Sequence, residues 1–195
     1  VLVEGTGGAA SGGNNNGVIP HQNGGLITSG GTGSVTVIGT GGTGANSFGT
    51  YVFRDGRITS GGSGAVNVTG TGGGAGSGGV RLFTDGSAAR INSGGGPITV
   101  TGTATSGGFG IHLASAAAQI QSSGNAAVTL ISDSMALNTS TSFVNAGTGP
   151  VTLRQKTNLV AIDLGATTDP FAGPLSLEDA EIDKITAGTL NIGDS

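Results

Sequence analysis

Internal repetition constrains this chain more than any single residue does. The stretch Ile91–Thr103, INSGGGPITVTGT, has close copies at Ile58–Gly70 (ITSGGSGAVNVTG) and Ile27–Gly39 (ITSGGTGSVTVIG). Weaker copies stand at Ile120–Leu130 and Val144–Leu153, and a last echo, ITAGTLNI, runs from Ile185 to Ile192. One such unit is too small to bury an apolar face alone, whereas stacked neighbours share a continuous core. The leading residues Ile27, Ile58, Ile91, Ile120, Val144 and Ile185 are separated by between 24 and 41 residues. Helical repeats keep a fixed length; unequal spacing suits strands that stay in register while the loops between them vary.

Three short strands per repeat follow from the alternation. Val35–Ile38, Val66–Thr69, Ile98–Thr101, Val128–Ile131 and Val151–Arg154 form the first set. Successive side chains on a strand face opposite sides. Val35, Val66, Ile98, Val128 and Val151 therefore make one inward column, and Val37, Val68, Val100, Leu130 and Leu153 the next. Thr36, Asn67, Thr99, Thr129 and Thr152 point outward. The second set, Thr50–Phe53, Val80–Phe83 and Ile111–Ala114, turns Val52, Leu82 and Leu113 inward and Tyr51, Arg81 and His112 outward. The third set carries the leading Ile or Val, followed two residues later by Ser29, Ser60, Ser93, Ser122, Ala146 or Ala187. No Lys, Arg, Asp or Glu falls in an inward column, which supports the register, because a slip by one residue exchanges the two faces. The expected fold is all-β: a right-handed parallel β-helix with three short strands per turn, about 5–6 turns stacked about 4.8 Å apart, and a short helix near the carboxyl end.

Composition is consistent with this once the pattern is seen. Forty-two of 195 residues are Gly, a level that by itself suggests a disordered, low-complexity chain. Here the Gly residues recur between strands, where a corner calls for positive φ. With no Cys, disulfide staples and Cys-based metal or redox motifs are excluded. No apolar run is long enough to span a membrane. Residues 1–157 carry six Lys/Arg against four Asp/Glu, and residues 158–195 one Lys against seven Asp/Glu. Neither part has the basic stripe that nucleic-acid binding requires.

The whole chain reads as one β-helical segment. Residues 1–26 are an irregular turn or loop, although Val1-Leu2-Val3 can begin a strand; 27–174 hold the regular turns. Residues 175–187 are a short helical insertion, and 188–195 start the next turn. The helix rests on LSLEDAEIDKI, in which Ser176 stands three residues before Asp179 in a capping arrangement and Leu177, Ala180, Ile182 and Ile185 have roughly helical spacing. The chain opens at Val1 and closes inside a repeat, which reads as a segment of a longer protein or a unit that stacks end to end with another copy.

The turns VTVIGTGGTG, VNVTGTGGGAG and ITVTGTATSGG, with the tail LSLEDAEIDKITAGTLNIG, resemble the β-helical repeat regions of large bacterial exoproteins of the filamentous-haemagglutinin type. The resemblance covers roughly residues 27–192. It implies a right-handed parallel β-helix, export to the cell surface or beyond, and a structural or adhesive role. It implies no catalytic residues. Partners on this reading are further turns of the same chain, a second copy, and cell-surface glycans or proteins.

Chemistry-bearing motifs are few. Gly39-Thr-Gly41-Gly-Thr-Gly44 matches GxGxxG after a strand. A dinucleotide site needs a helix next, and Ala45-Asn-Ser-Phe-Gly-Thr is a poor one, so no cofactor is expected. His21 and His112 lie in non-adjacent turns, which leaves no catalytic triad or His-rich metal site. GGTGAN and GGSGAV lack the Asp of calcium-binding solenoid repeats. Glu178, Asp179, Glu181 and Asp183 could hold a hard cation, but a solvated helix face accounts for them more simply. Asn67-Val-Thr69 and Asn138-Thr-Ser140 fit the glycosylation pattern, as chance matches in such chains do. Thr99 and Thr101 form the only Thr-x-Thr pair in their column, too little for an ice-binding face. A polysaccharide-degrading β-helix would need clustered acids with Arg or Lys; Asp55 and Asp85, each at an Asp-Gly corner, with Arg54, Arg57 and Arg90 nearby, are the available set. The candidate contact surface is the outward column Tyr51, Arg81 and His112, flanked by Phe53 and Phe83, where a glycan or protein could bind or a loop could pack.

Overall fold

The structure is a computed structural model and describes residues 1–22, 24–105, 107–137 and 141–193. It is all-β with parallel sheets, an arrangement compatible with a parallel β-helix. The first sheet joins, in order, Leu2–Thr6, Val35–Thr40, Val66–Thr71, Ile98–Thr103, Val128–Ile131, Pro150–Arg154 and Thr189–Ile192. The second joins Thr50–Phe53, Val80–Phe83, Ile111–Leu113 and Met135–Ala136. The third joins Leu26–Ser29, Arg57–Ser60, Arg90–Ser93, Gln119–Ser122, Phe143–Asn145 and Ile185–Thr186. From Val35 to Arg154 the chain visits the three sheets in that order, circuit after circuit, and every strand pairs in parallel with its counterpart one circuit away.

The register is the one the alternation implies. Val35 pairs with Val66, Val66 with Ile98, Ile98 with Val128 and Val128 with Val151. Ile27, Ile58, Ile91, Ile120, Val144 and Ile185 are likewise consecutive partners in the third sheet. Inward side chains from all three sheets merge into one apolar core, in which Val37, Val52, Ile58, Leu82, Ile91, Val100, Leu113 and Leu130 are completely buried. Full burial of a side chain of this size contributes roughly 1.5–3 kcal/mol.

Polar atoms that enter the corners are paired. Ser47 and Ser77 are completely buried. The Ser77 Oγ accepts from the Ser47 N–H at 2.8 Å, and the Ser47 Oγ from the Asn15 N–H at 3.0 Å. In the third sheet Ser29, Ser60 and Ser93 each donate across the corner, to the carbonyls of Gly33, Gly64 and Gly96. The Ser47 and Ser77 bonds link successive circuits where the backbone ladder leaves off, while the Ser29, Ser60 and Ser93 bonds close the corner within one circuit.

The glycines do two different jobs. Positive φ occurs once in each extruded loop between the first and second sheets, at Asn46, Gly76 and Gly107. Gly39, Gly70 and Gly102 have no such φ. A Cβ there would lie 2.0 to 2.1 Å from the carbonyl oxygens of Gly49, Gly79 and Gly110. The chain is pinched at this corner, and only a residue without a side chain lets the two backbones approach. Positive φ, expected of the corner glycines generally, is thus confined to a few of them.

At four further places the structure refines or departs from the sequence reading. At the Asp-Gly corners the left-handed residue is Arg54, not Gly56; the Gly86 corner is instead tied by its N–H to the Thr84 Oγ1 at 3.0 Å. Residues 1–26 contribute more than a loop: Leu2–Thr6 pairs in register with Val35–Thr40, and Val18 and His21 bridge Thr50 and Phe53. After Arg154 the circuit is interrupted, and Ile162–Leu164 pairs with Leu175–Leu177 in a separate two-stranded parallel sheet. Among the described residues helical structure is limited to Asp179–Ile182, because Leu175–Leu177 is a strand; the capping box is formed by Glu178 and Glu181, and not by Ser176.

Val100→Asp would place an unpaired charge at a fully buried position of this narrow core. A loss on the order of 4 kcal/mol or more is expected, enough to abolish the cooperative thermal transition. Gly70→Ala should also destabilise the fold, since its Cβ meets backbone on the neighbouring segment. Wild-type melting of either variant would contradict the register or the pinch.

Candidate functional site

Parallel pairing brings the predicted contact residues together on the outer face of the second sheet. Tyr51 is the in-register partner of Arg81, Arg81 of His112, and Phe53 of Phe83. The Tyr51 and Phe53 rings stack with centroids 5.1 Å apart, and Phe53 and Phe83 at 5.8 Å. The Arg81 guanidinium lies over three rings, 4.8 Å from Phe48, 5.1 Å from Phe83 and 5.4 Å from Tyr51. Its Nε is buried and finds no acceptor among the described residues, so ring faces replace water around this charge.

Sequence reasoning missed part of the cluster. Phe48 sits against Tyr51 at 5.2 Å, Phe109 against His112 at 5.0 Å, and His21 against Phe53 at 4.8 Å. A signal for two of them was present: Phe48-Gly49 and Phe109-Gly110 occupy the same place before the second-sheet strand. Phe171 reaches Phe109 at 4.6 Å from the segment that leaves the circuit after Arg154, and no repeat copy announces it. Asn46, Phe48, Arg81, Phe109, His112 and Phe171 line a cleft of about 190 Å³. One end of the aromatic column is thus packed under a loop, while Tyr51, Phe53 and Phe83 remain half-exposed.

The electrostatics follow from burial. His112 is pushed down to about 4, first by desolvation and then by the Arg81 charge, so it is a neutral imidazole at neutral pH. Desolvation also raises the Tyr51 phenol, against the opposing pull of Arg81. Together these groups form an aromatic-walled surface around the Arg81 charge, with the Arg54 guanidinium 5.0 Å from the Phe53 ring at its margin, suited to stacking on sugar rings or on a partner's side chains.

The acids are committed elsewhere. Asp85 is held by Arg54, whose Nη2 donates to Oδ2 at 2.9 Å while Nε lies 2.8 Å from Oδ1. Asp55 pairs with Arg57 at 3.4 Å. Glu181, expected on a solvated helix face, is completely buried. Its carboxylate accepts from the Leu137 N–H, next to the last strand of the second sheet, and from the Glu178 N–H at 3.0 Å. Asp169 lies against it with both carboxyl oxygens buried and no donor among the described residues. Burial first, and then the Glu181 and Glu178 charges, push Asp169 up to about 7; burial also raises Glu181. A proton held between the two carboxyls would give Asp169 the bond it otherwise lacks.

Among the described residues no three His, Asp or Glu side chains converge as metal ligands. Gly44 is followed by a bend and the strand Thr50–Phe53, with no helix to face a phosphate. Among the described residues no helix is long and apolar enough to cross a membrane. Asn67 is half-exposed on the first sheet; Asn138-Thr-Ser140 lies outside the described residues. Comparison with protein-family models, with curated proteins and with solved structures finds no match.

Two pH dependences of opposite sign result. His112 has a folded value below its unfolded one, so its contribution to stability is present above about 6.5 and is lost as pH falls through about 4. Its ring protons should titrate near 4 by NMR; a midpoint above 6 would contradict the buried geometry. Asp169 has a folded value above its unfolded one, so its contribution is full below about 4 and is lost as pH rises through about 7. Asp169→Asn should therefore gain melting temperature at pH 8 relative to wild type and gain less at pH 5. An equal change at both would contradict the shared proton.

Proposed function

We propose that this chain is a structural and adhesive module of a secreted or cell-surface protein, built as a right-handed parallel β-helix of the kind its repeats resemble. The observation that carries the reading is the set of in-register parallel ladders linking every circuit to the next. They make a stiff scaffold whose outward residues stand in columns. The right hand follows from the strong preference of parallel crossovers. On this reading the aromatic surface around Arg81 is where glycans or proteins are held. The edge strands Leu2–Thr6 and Thr189–Ile192 offer ladder groups to further turns of a longer chain or to a second copy.

A binding and structural role is favoured over catalysis by the state of the acids. Asp85 is ion-paired with Arg54, and Asp55 faces Arg57, so each carboxylate is taken up by a neighbouring guanidinium and is not left free to act on a substrate. Incubation with acidic and neutral polysaccharides should release neither unsaturated ends nor reducing sugar. Turnover that disappears in Asp85→Asn would overturn the reading in favour of a polysaccharide-degrading enzyme. Adhesion is tested by retention of the immobilised chain on glycan and protein arrays. Tyr51→Ala combined with Arg81→Ser should reduce the retained signal by tenfold or more, and an undiminished signal removes the aromatic surface from the function.

A further inference from the structure

The third sheet carries an outer face, polar over its central rungs between Leu26 and Phe143, that the adhesive reading does not use. Its strands, LITS, RITS, RINS, QIQS, FVN and IT, contain no Asp or Glu. Arg57 and Arg90 are in-register partners on adjacent strands, followed by Gln119. The neighbouring outward column holds Thr59, Asn92 and Gln121. Arg57, Arg90, Asn92, Gln119 and Gln121 line a groove of about 310 Å³, and all five are half-exposed.

The charge in this groove is not balanced from within. Two cations directly opposite each other on neighbouring strands repel. Arg57 has Asp55 at 3.4 Å. Arg90 has only the neutral Gln119, whose Oε1 accepts from Nε at 2.8 Å, and no carboxylate pairs with it among the described residues. That bond, with the one from Asn92 Nδ2 to Thr59 Oγ1 at 2.9 Å, fixes the side chains in an ordered array along the sheet. Arg recognises carboxylates through paired N–H donors, and Asn and Gln can both donate to and accept from hydroxyls. Adjacent rungs lie about 4.8 Å apart, on the order of the length of one sugar in an extended chain.

We propose that this groove binds a linear polysaccharide bearing a carboxylate on each sugar, with Arg57 and Arg90 each taking one carboxylate and Asn92, Gln119 and Gln121 the ring hydroxyls. The ligand runs across the strands, so that successive sugars meet successive rungs. The site is separate from the Arg81 surface and goes beyond the scaffold role, which stands or falls on its own tests.

The test is titration calorimetry of the whole chain with a homo-oligomer of uronic acid six sugars long. A neutral hexasaccharide, a sulfated one and an acidic peptide serve as the comparison ligands. Binding of the uronate that weakens with salt is expected. Arg90→Gln should weaken it several-fold and Arg57→Gln with Arg90→Gln by at least tenfold, with the far-UV spectrum unchanged. Because both arginines project from the outer face, a second pair, Asn92→Ala with Gln121→Ala, serves if the first fails to fold, and should also weaken the uronate by several-fold. The proposal is overturned by absence of uronate binding, by unchanged binding in the folded variants, or by equal or tighter binding of any of the comparison ligands.

Discussion

Parallel backbone hydrogen bonding between successive circuits is the constraint from which the rest of this structure follows. A strand of four to six residues has no partner within its own circuit, so its N–H and C=O groups are satisfied only by the circuits on either side. Once Val66 faces both Val35 and Ile98, every other residue in those strands is placed. The apolar columns then close on one another without a charged residue among them. The same requirement explains what happens at the corners. Backbones that must stay one rung apart while turning are brought into contact at Gly39, Gly70 and Gly102, and buried Ser hydroxyls take up amides that the turn releases.

Because the ladder and the inward columns hold the fold, the outward residues are left to differ between sheets. The first sheet presents Thr and Asn, the second aromatic rings around Arg81, and the third arginines with Asn and Gln. Some outward residues are repeated at the next rung, as Thr99 is by Thr129 and Phe53 by Phe83, so a weak single contact can become a row of contacts along one face. On the proposed reading, function belongs to these faces and not to a pocket in the core. The segment after Arg154 adds a different element. It brings Phe171 to the aromatic face, and its extension brings the buried Glu181 to the Leu137 amide. A carboxylate there covers a donor at the margin of the second sheet, where the next rung would have stood.

The inward columns were legible because period-two alternation and repetition report the same thing independently. Alternation gives the face of each side chain, and repetition gives its partner one circuit on. Tyr51, Arg81 and His112 were legible as neighbours for that reason. The limits are equally physical. A Gly required by close approach looks the same in sequence as one required by positive φ, so the pinch at Gly70 could not be told from a left-handed corner such as Gly76. Ser176 and Asp179 have the spacing of a cap, yet Leu175 and Leu177 are drawn into a strand by burial against the core, and tertiary packing overrides the local signal. Glu181 reads as a solvated acid because its partner amide, at Leu137, is 44 residues away. Phe171 belongs to a stretch with no repeat copy, where neither period applies.

The in-register parallel stack is tested most directly by engineered disulfides, since the chain contains no Cys. Asn67 and Thr99 are outward partners on adjacent strands of the first sheet, and rungs about 4.8 Å apart lie within the range a disulfide spans. Asn67→Cys with Thr99→Cys should oxidise rapidly and almost completely within the monomer, while Asn67→Cys with Thr101→Cys, two residues out of register, should stay largely reduced under the same conditions. Faster bridging of the second pair, or no bridging of the first, would contradict the stack on which the whole structure depends.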